Sequence, residues 1–180
     1  MNFRPTPLPG MVEIAGAPHN DDRGSFVRIY CRDAFTAAGI DFHPVQASLS
    51  TNTRRHTLRG LHYQPAPHAE AKLVRCVAGA VFDVAVDLRP GPGFGRWHAV
   101  TLSAEEANAV FLPEGVAHGF LTMTDGAVLQ YHMDRAHVPG HAAGLRWDDP
   151  DLSIPWPATP AVMSEADRRW PRLRDLAHGA

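Results

Sequence analysis

The chain has 180 residues, of which 44% are hydrophobic, and its 17 basic and 19 acidic side chains give a formal net charge of −2. A chain of this size and composition can bury its apolar side chains in one core without disulfide or metal staples. The near-neutral charge removes the field on which sequence-independent nucleic-acid binding depends, and no apolar run is long enough to span a membrane. We therefore expect neither a nucleic-acid partner nor a membrane partner.

The first residues and the cysteines indicate a compartment. Met1 to Pro5 lack the apolar core of a signal peptide, and Cys31 and Cys76 are the only cysteines. We expect a cytoplasmic protein without a required disulfide. Sixteen of the 17 basic residues are arginines, and Lys72 is the only lysine. Because a compact ammonium and a planar guanidinium are not interchangeable, Lys72 is a candidate functional residue.

Short β-branched and apolar runs between Gly, Pro and Asp predict a chain made mostly of strands. A helix is predicted after the first strand, with Asp33 as its N-cap and Gly39 just past its end. Ala78-Gly79 predicts a tight hairpin turn. The clearest predicted strands are, in chain order, Ser25 to Tyr30, Val45 to Ser50, Leu73 to Val77, Ala80 to Leu88, Trp97 to Leu102 and Ala127 to Met133.

Many short strands without repeats or linkers predict an all-β fold, a sandwich or small barrel of the jelly-roll type. The Gly- and Pro-rich run from Arg89 to Gly95 is interpreted as a long turn between strands, because no helix follows it as in a phosphate-binding loop. We expect one domain over residues 1–180. Its irregular, Pro-rich segment 148–180 is predicted to wrap the barrel, with a short helical turn starting at Ser164 to Asp167.

The run Leu58 to Gln64 contains a histidine on a predicted strand. In an extended run, Arg59 and Leu61 face one side, while Gly60, His62 and Gln64 face the other. Gly60 would then leave space for a ligand beside the imidazole, although a histidine packed in the core is the alternative interpretation.

A metal centre is disfavoured by the same run. Jelly-roll barrels often hold a metal through two histidines one residue apart, but Gln64 stands where the second imidazole would be, and an amide is a poor ligand for a transition metal. His62 and His118 together still fall short of the three or four protein ligands that zinc takes. We expect neither a metal nor another cofactor.

The remaining polar side chains suit proton transfer. A histidine base, a phenol that can donate a proton and a cation beside a developing oxyanion are the groups that enolise a carbonyl compound. Acyl transfer fits less well, because no serine lies in a turn of the nucleophile-elbow type. The candidates are His62, Lys72, Tyr131, His118, Asp83 and Arg59, with Asp167 as an orienting carboxylate; for Tyr131, packing in the core is the alternative.

Six motifs in order closely resemble the dTDP-4-dehydrorhamnose 3,5-epimerase family, over roughly residues 10 to 176. The resemblance implies a homodimer of cupin-type jelly rolls with short peripheral helices and no cofactor. It also implies an epimerase that inverts C3, C5 or both in a nucleoside-diphosphate 4-keto-6-deoxyhexose. The motifs are Asp22 to Phe26, Leu58 to Gln64, Asp83 to Arg89, Pro113 to Phe120, Trp147 to Pro150 and Ile154 to Pro157.

The resemblance also assigns roles to residues. It implies that His62 is the base that forms an enolate, that Asp167 orients its imidazole, and that Tyr131 returns a proton to the opposite face. Lys72 would stabilise the enolate oxygen. The implied substrate-binding positions are Arg23, Phe26, Gln46, Arg59, Asp83 and His118, with the two arginines on the diphosphate and Phe26 reaching the nucleotide across the dimer.

Four positions depart from the family pattern, namely Arg28, Ser48, His137 and Ala142. They leave the nucleotide base and the sugar open, so an epimerase for another nucleoside-diphosphate sugar and one acting at C3 alone are alternatives. A catalytically inactive cupin that binds sugar nucleotides is a rival from another functional class, and a metal-dependent cupin enzyme is a second rival.

Overall fold

The computed structural model describes residues 1–176 and arranges them almost entirely in short β-strands. In chain order the elements are β1 (Asn2–Pro5), β2 (Val12–Ala15), β3 (His19–Asp21), β4 (Gly24–Phe26), α1 (Arg32–Ala37), β5 (Gln46–Asn52), β6 (Leu58–Tyr63), β7 (Lys72–Ala78), β8 (Ala80–Asp87), β9 (Trp97–Ser103), β10 (Ala109–Leu112), β11 (Val116–Thr122), β12 (Ala127–Met133), β13 (Ala143–Gly144) and α2 (Leu173–Leu176).

Two antiparallel sheets form the body of the protein. One has six strands in the order β1-β2-β10-β7-β12-β5, and the other has five in the order β13-β6-β11-β8-β9. The main core contains Val74 and Cys76 of one sheet together with Val81, Ala85 and Phe120 of the other, all buried. This two-sheet arrangement confirms the predicted all-β jelly-roll class.

Two further apolar clusters lie outside this core. Phe35 of α1 and Phe42 pack with Phe111 of the six-stranded sheet, and Phe35 is fully buried there. On the five-stranded sheet, Leu152 and Leu173 from the C-terminal segment pack in a cluster with buried residues of β6 and β8. Two parts of the C-terminal segment, around Leu152 and around Leu173, therefore pack against this sheet, while residues 177–180 of the predicted wrapping segment are outside the described residues.

The predicted strand from Ser25 to Tyr30 is wrong in its second half. Only Gly24–Phe26 is extended and paired, forming a separate two-stranded hairpin with β3. Tyr30 instead turns into the cluster around α1, where its hydroxyl donates a 2.8 Å hydrogen bond to the Phe42 carbonyl. The Tyr30 side chain thus packs against α1 and does not belong to a strand of a sheet.

The short helix exists, but its start differs from the prediction. Cys31 is the N-cap and makes no capping hydrogen bond. Asp33 lies in the first turn instead, where its carboxylate still stabilises the helix by interacting with the positive end of the helix dipole. Gly39 follows the helix with a φ of +76°, as expected for a residue that ends a helix in the left-handed region.

The hairpin predicted at Ala78-Gly79 is also wrong. The turn joins β7 to β8, but these strands belong to different sheets, so the chain passes from one layer to the other at this point. Strands β7 and β8 both contribute side chains to the same core, one from each side. The long turn from Arg89 to Gly95 does join two paired strands, β8 and β9, as predicted. No helix in the described residues could cross a membrane.

Candidate active site

A cavity of about 560 Å³ opens beside strand β6. Four parts of the chain form its wall: β6 itself, the segment that leads into β7, the loop after β12, and residues 162–170 of the C-terminal segment. Its lining residues are Thr57, Leu58, Arg59, His62, Tyr63, Gln64, Glu70, Lys72, His137, Ala142, Val162, Met163, Ser164, Ala166, Asp167 and Trp170.

His62 and Asp167 form a pair in this cavity. His62 Nε2 lies 2.5 Å from Asp167 Oδ1, and the imidazole is 42% exposed while the carboxylate is only 5% exposed. Burial by itself would raise the pKa of Asp167, but hydrogen bonds from His62 and Trp170 and the charge of His62 outweigh it and lower that pKa below its usual value. A carboxylate that accepts from Nε2 leaves Nδ1 as the imidazole atom able to take a proton.

A turn in the C-terminal segment brings Asp167 to this position. The Asp167 amide donates to Ser164 Oγ at 3.0 Å, and Trp170 Nε1 donates to Asp167 Oδ1 at 3.1 Å. The Trp170 ring meets the His62 ring edge-on, with centroids 6.1 Å apart. Gly144, which pairs with His62, makes room for this indole, because a Cβ there would lie 2.4 Å from it.

Lys72 enters the cavity from the start of β7. Its Nζ lies 3.1 Å from Glu70 Oε1, and both side chains are largely buried. The other carboxylate oxygen of Glu70 accepts a 2.9 Å hydrogen bond from Gln64 Nε2, while Gln64 Oε1 accepts from the Val138 amide at 3.2 Å. Gln64, just after the end of β6, therefore connects the cavity wall by hydrogen bonds to the segment before β7 and to the loop after β12.

The predicted alternation along β6 is wrong at its centre. Arg59 and His62 line the same cavity, because the pairing of β6 with β11 shifts register between His118 and Phe120. Arg59 is held at the wall by Asn52, whose Oδ1 accepts from Arg59 Nε at 2.8 Å.

The expected role of Gly60 is wrong as well. A Cβ on Gly60 would lie 2.5 Å from the Cα of Gly119, so its missing side chain accommodates the neighbouring strand and not a ligand. Gly60 also has a φ of +134°, a backbone conformation that side-chain-bearing residues rarely adopt.

A second histidine–aspartate pair lies behind the first. His118 pairs directly with His62 across β11 and β6, and its Nε2 lies 2.8 Å from Asp83 Oδ2. Both side chains are buried, and Asp83 Oδ1 has no hydrogen-bond partner. Burial raises the pKa of Asp83 despite the opposing charge and hydrogen bond of His118.

Tyr131 reaches this inner pair from the opposite sheet. Its ring meets the His118 ring edge-on, with centroids 6.0 Å apart. Burial, followed by the charge of Asp83, raises the pKa of Tyr131 far above its usual value, so the phenol stays protonated at neutral pH. Tyr131, His118 and Asp83 are not among the residues that line the cavity, although they adjoin it through His62.

The sequence of this chain matches the model of a known family. The family model for dTDP-4-dehydrorhamnose 3,5-epimerase matches residues 5–175. The chain belongs to the dTDP-4-dehydrorhamnose 3,5-epimerase family. This confirms the resemblance found in the sequence, and it makes the chain an isomerase of the epimerase class with a cupin jelly-roll fold.

Three relatives illustrate the family. A dTDP-4-dehydrorhamnose 3,5-epimerase of Methanothermobacter thermautotrophicus is 38% identical over 96% of this chain and 95% of its own. A dTDP-4-dehydrorhamnose 3-epimerase of Streptomyces niveus is 39% identical over 93% of this chain and 82% of its own. The crystal structure of a Legionella pneumophila 3,5-epimerase with dTDP-4-keto-L-rhamnose has a TM-score of 0.91 at 34% identity, covering 96% of this chain and 93% of its own.

Two further predicted binding residues of this epimerase also lie outside the cavity lining. Arg23 and Phe26 are on the β3–β4 hairpin, where Arg23 is exposed and paired with Asp21, and Phe26 is 74% exposed. Gln46 does not line the cavity, but its Oε1 accepts a 2.9 Å hydrogen bond from the amide of His137, which does. In residues 1–176, no group of three His, Cys, Asp or Glu side chains is placed to hold a metal ion.

Three residues of the site in this epimerase were not predicted from the sequence: Glu70, Ser164 and Trp170. Glu70 could have been found from its position two residues before the only lysine, since alternate residues of an extended segment share a face. Ser164 and Trp170 flank Asp167 at a spacing of three residues, which is the reach of one helical turn. Their contacts with the carboxylate depend on that turn.

Proposed function

We propose that the chain inverts C3, or both C3 and C5, of a dTDP-4-keto-6-deoxyhexose by deprotonation to an enolate and reprotonation from the other face. The observation that carries this proposal is the His62–Asp167 pair in an open cavity with the ammonium of Lys72 on the same wall. A base held by a carboxylate and a cation beside it are what enolisation next to a ketone requires.

The chemistry follows from the substrate carbonyl. The C4 ketone acidifies the hydrogens on C3 and C5, so His62 takes a proton from C3 and the electron pair moves into an enolate whose oxygen faces Lys72. Tyr131 then gives its phenolic proton to the opposite face of C3, which inverts the centre. Because its pKa is raised, Tyr131 is protonated at neutral pH, so it cannot serve as the base and its O–H is present as a proton donor to the enolate carbon. Exchange with solvent restores both side chains.

Two copies of the chain are part of the proposal. Phe26, Val45, Leu49 and Val77 are large apolar side chains that remain exposed, and β5 is an edge strand of the six-stranded sheet. A second copy packed along β5 would bury Leu49 and the adjoining Val45. In such a homodimer, Arg23 and Phe26 would complete the nucleotide pocket of the partner, where Arg59 would meet the diphosphate.

The homodimer is tested by placing a charged side chain on β5, where the second copy is proposed to pack. Leu49→Arg is expected to give a monomer in light scattering and to weaken dTDP binding, while Ala104→Arg, on an exposed turn away from β5, stays dimeric. A wild-type chain that is monomeric at all concentrations would contradict the homodimer.

The reaction is tested by incubation in deuterium oxide with 4-keto-6-deoxyhexoses carried on dTDP, CDP and GDP. We expect solvent deuterium in the dTDP sugar at C3, or at C3 and C5, together with inverted product detected by NMR. Nucleotide binding without exchange on any sugar would support the inactive binding protein instead.

The C3-only reaction is the second candidate. The loop that includes His137 and Ala142 departs from the family pattern and forms part of the cavity wall, so the sugar could be held differently there. Deuterium confined to C3 would establish this alternative, whereas label at both carbons would exclude it.

A further inference from the structure

Glu70 is a buried carboxylate on the cavity wall that the reaction above does not use. Its side chain is 9% exposed, and each of its oxygens has its own partner: Lys72 Nζ at 3.1 Å and Gln64 Nε2 at 2.9 Å. Burying a carboxylate is unfavourable unless it is paired and hydrogen-bonded, so this geometry satisfies the charge on both sides.

The backbone between Glu70 and Lys72 is held in place. The Ala71 amide donates to Asp134 Oδ1 at 2.8 Å, and the Ala71 carbonyl accepts from the Asp134 amide at 3.3 Å. Lys72 itself lies in the interior of the six-stranded sheet, paired with Leu112 on one side and Met133 on the other. The backbone positions from which the Glu70 and Lys72 side chains extend are therefore fixed.

A lysine side chain has several rotatable bonds and loses much conformational freedom when its ammonium is fixed. The ammonium carries three N–H donors, and the ion pair with one Glu70 oxygen occupies one direction only. An ammonium held in this way is already oriented before a substrate oxygen arrives, and preorganised charge is what stabilises a developing oxyanion.

We propose that Glu70 is a positioning residue that holds the Lys72 ammonium in place for the enolate oxygen. This inference rests on the proposed epimerase reaction. Gln64 completes the device, because the amide that donates to Glu70 also accepts from the Val138 backbone and so ties the carboxylate to the loop carrying His137.

The opposite effect is physically possible, which makes the proposal testable. Removing the Glu70 charge leaves the positive charge of the Lys72 ammonium unneutralised, which would favour an enolate, but it also leaves the ammonium without a fixed position. If position dominates, Glu70→Gln lowers kcat by about 10- to 100-fold and changes KM by less than about threefold, as expected for a misplaced catalytic group. An unchanged or raised kcat would overturn the proposal.

A double-mutant cycle separates positioning from a structural role. Glu70→Gln, Lys72→Ala and the double variant are compared by deuterium wash-in at C3, with thermal melting as a check on folding. If Glu70 acts through Lys72, Glu70→Gln costs less than about threefold in the Lys72→Ala background. An equal loss in both backgrounds would assign Glu70 a role independent of Lys72 and overturn the proposal.

Glu13→Gln is the matched control. Glu13 is a half-buried carboxylate 2.7 Å from His98, in the same sheet but outside the cavity, so its loss removes a comparable pair without touching the site. We expect unchanged kcat. If Glu70→Gln alone unfolds the chain, Glu70→Asp takes its place in the cycle. A wild-type chain that exchanges no deuterium would contradict the proposed function, whereas an active wild type with an unaffected Glu70→Gln would contradict only the role of Glu70.

Discussion

The two histidine–aspartate pairs of this protein differ in burial more than in geometry. His62–Asp167 and His118–Asp83 both join Nε2 to a carboxylate oxygen, at 2.5 Å and 2.8 Å. The outer imidazole is 42% exposed, while the inner one is 5% exposed and its aspartate is fully buried. The pKa of Asp167 is lowered, whereas burial raises that of Asp83.

The difference shows how one pairing can serve two purposes. The outer pair has a carboxylate stabilised in its charged form and an imidazole that a ligand can reach, which suits proton transfer. The inner pair lies between the sheets, with the His118 ring edge-on to Tyr131 and its strand paired with that of His62, and a charge without its partner is unfavourable there. Substitutions in the two pairs should therefore separate activity from stability.

The largest effect on activity is expected for His62→Ala. Removing a general base lowers the rate by about 10²- to 10⁴-fold or more, and because the imidazole is partly exposed, the melting temperature should change little. Deuterium wash-in and thermal melting measure the two effects. Loss of folding with loss of activity would assign His62 to the core and remove the contrast between the pairs.

His118→Ala should reverse that pattern. The substitution leaves Asp83 buried without its partner, and breaking a buried pair in this way costs about 3–5 kcal/mol of stability. Urea unfolding should show the loss directly. If the double variant Asp83→Asn/His118→Ala regains much of the lost stability, the uncompensated charge of Asp83 is the cause. A His118→Ala chain as stable as wild type would contradict a structural role for the inner pair.

Tyr131→Phe sharpens the comparison between the two faces of the sugar. His62 and Lys72 remain, so exchange at C3 continues, but the opposite face offers only a phenyl edge and inversion falls by about 100-fold. Labelled starting material without product is the expected NMR result. Equal loss of exchange and inversion would mean that Tyr131 helps to form the enolate, and unchanged inversion would mean that water or another residue is the acid.

Asp167→Asn should cost less activity than His62→Ala. The amide no longer favours the tautomer and orientation that the carboxylate imposes, yet the base remains, so we expect a loss of about 10- to 100-fold in kcat. Steady-state kinetics measure it, with Asp151→Asn, at an exposed ion pair, as a control. An active Asp167→Asn variant with wild-type kcat would show that the pair is not used in catalysis.

The smallest effect concerns stability against acid. Because the folded-state pKa of Asp167 is below its unfolded value, its ionised form stabilises the folded chain fully above the unfolded pKa, and this contribution disappears as the pH falls through the folded pKa. The stability gap between wild type and Asp167→Asn should be present at neutral pH, start to shrink near the unfolded pKa of about 4, and disappear as the pH falls through the lower folded-state pKa. A gap that widens in acid would reverse the assigned shift.

The amino-acid sequence alone determined the all-β class, the long turn at Arg89 to Gly95 and the glycine that ends α1, because turn residues and strand composition act over a few neighbouring positions. The motif order also determined the family. Lys72 stood out as the only lysine and His62 as a histidine on a predicted strand beside a glycine, and both line the cavity.

Tertiary structure decided everything that depends on which strands meet. The sequence Ala78-Gly79 predicts a turn, but it does not show whether the two joined strands pair in one sheet or lie in different sheets. The register shift between β6 and β11 brings Arg59 and His62 into one cavity, although alternation along an extended strand would place them on opposite faces. Asp167 lies 105 residues from His62 along the chain, and the geometry of their contact depends on Trp170 fitting against Gly144. Such contacts join segments that are distant along the chain, so the pattern of neighbouring residues does not predict how these segments align.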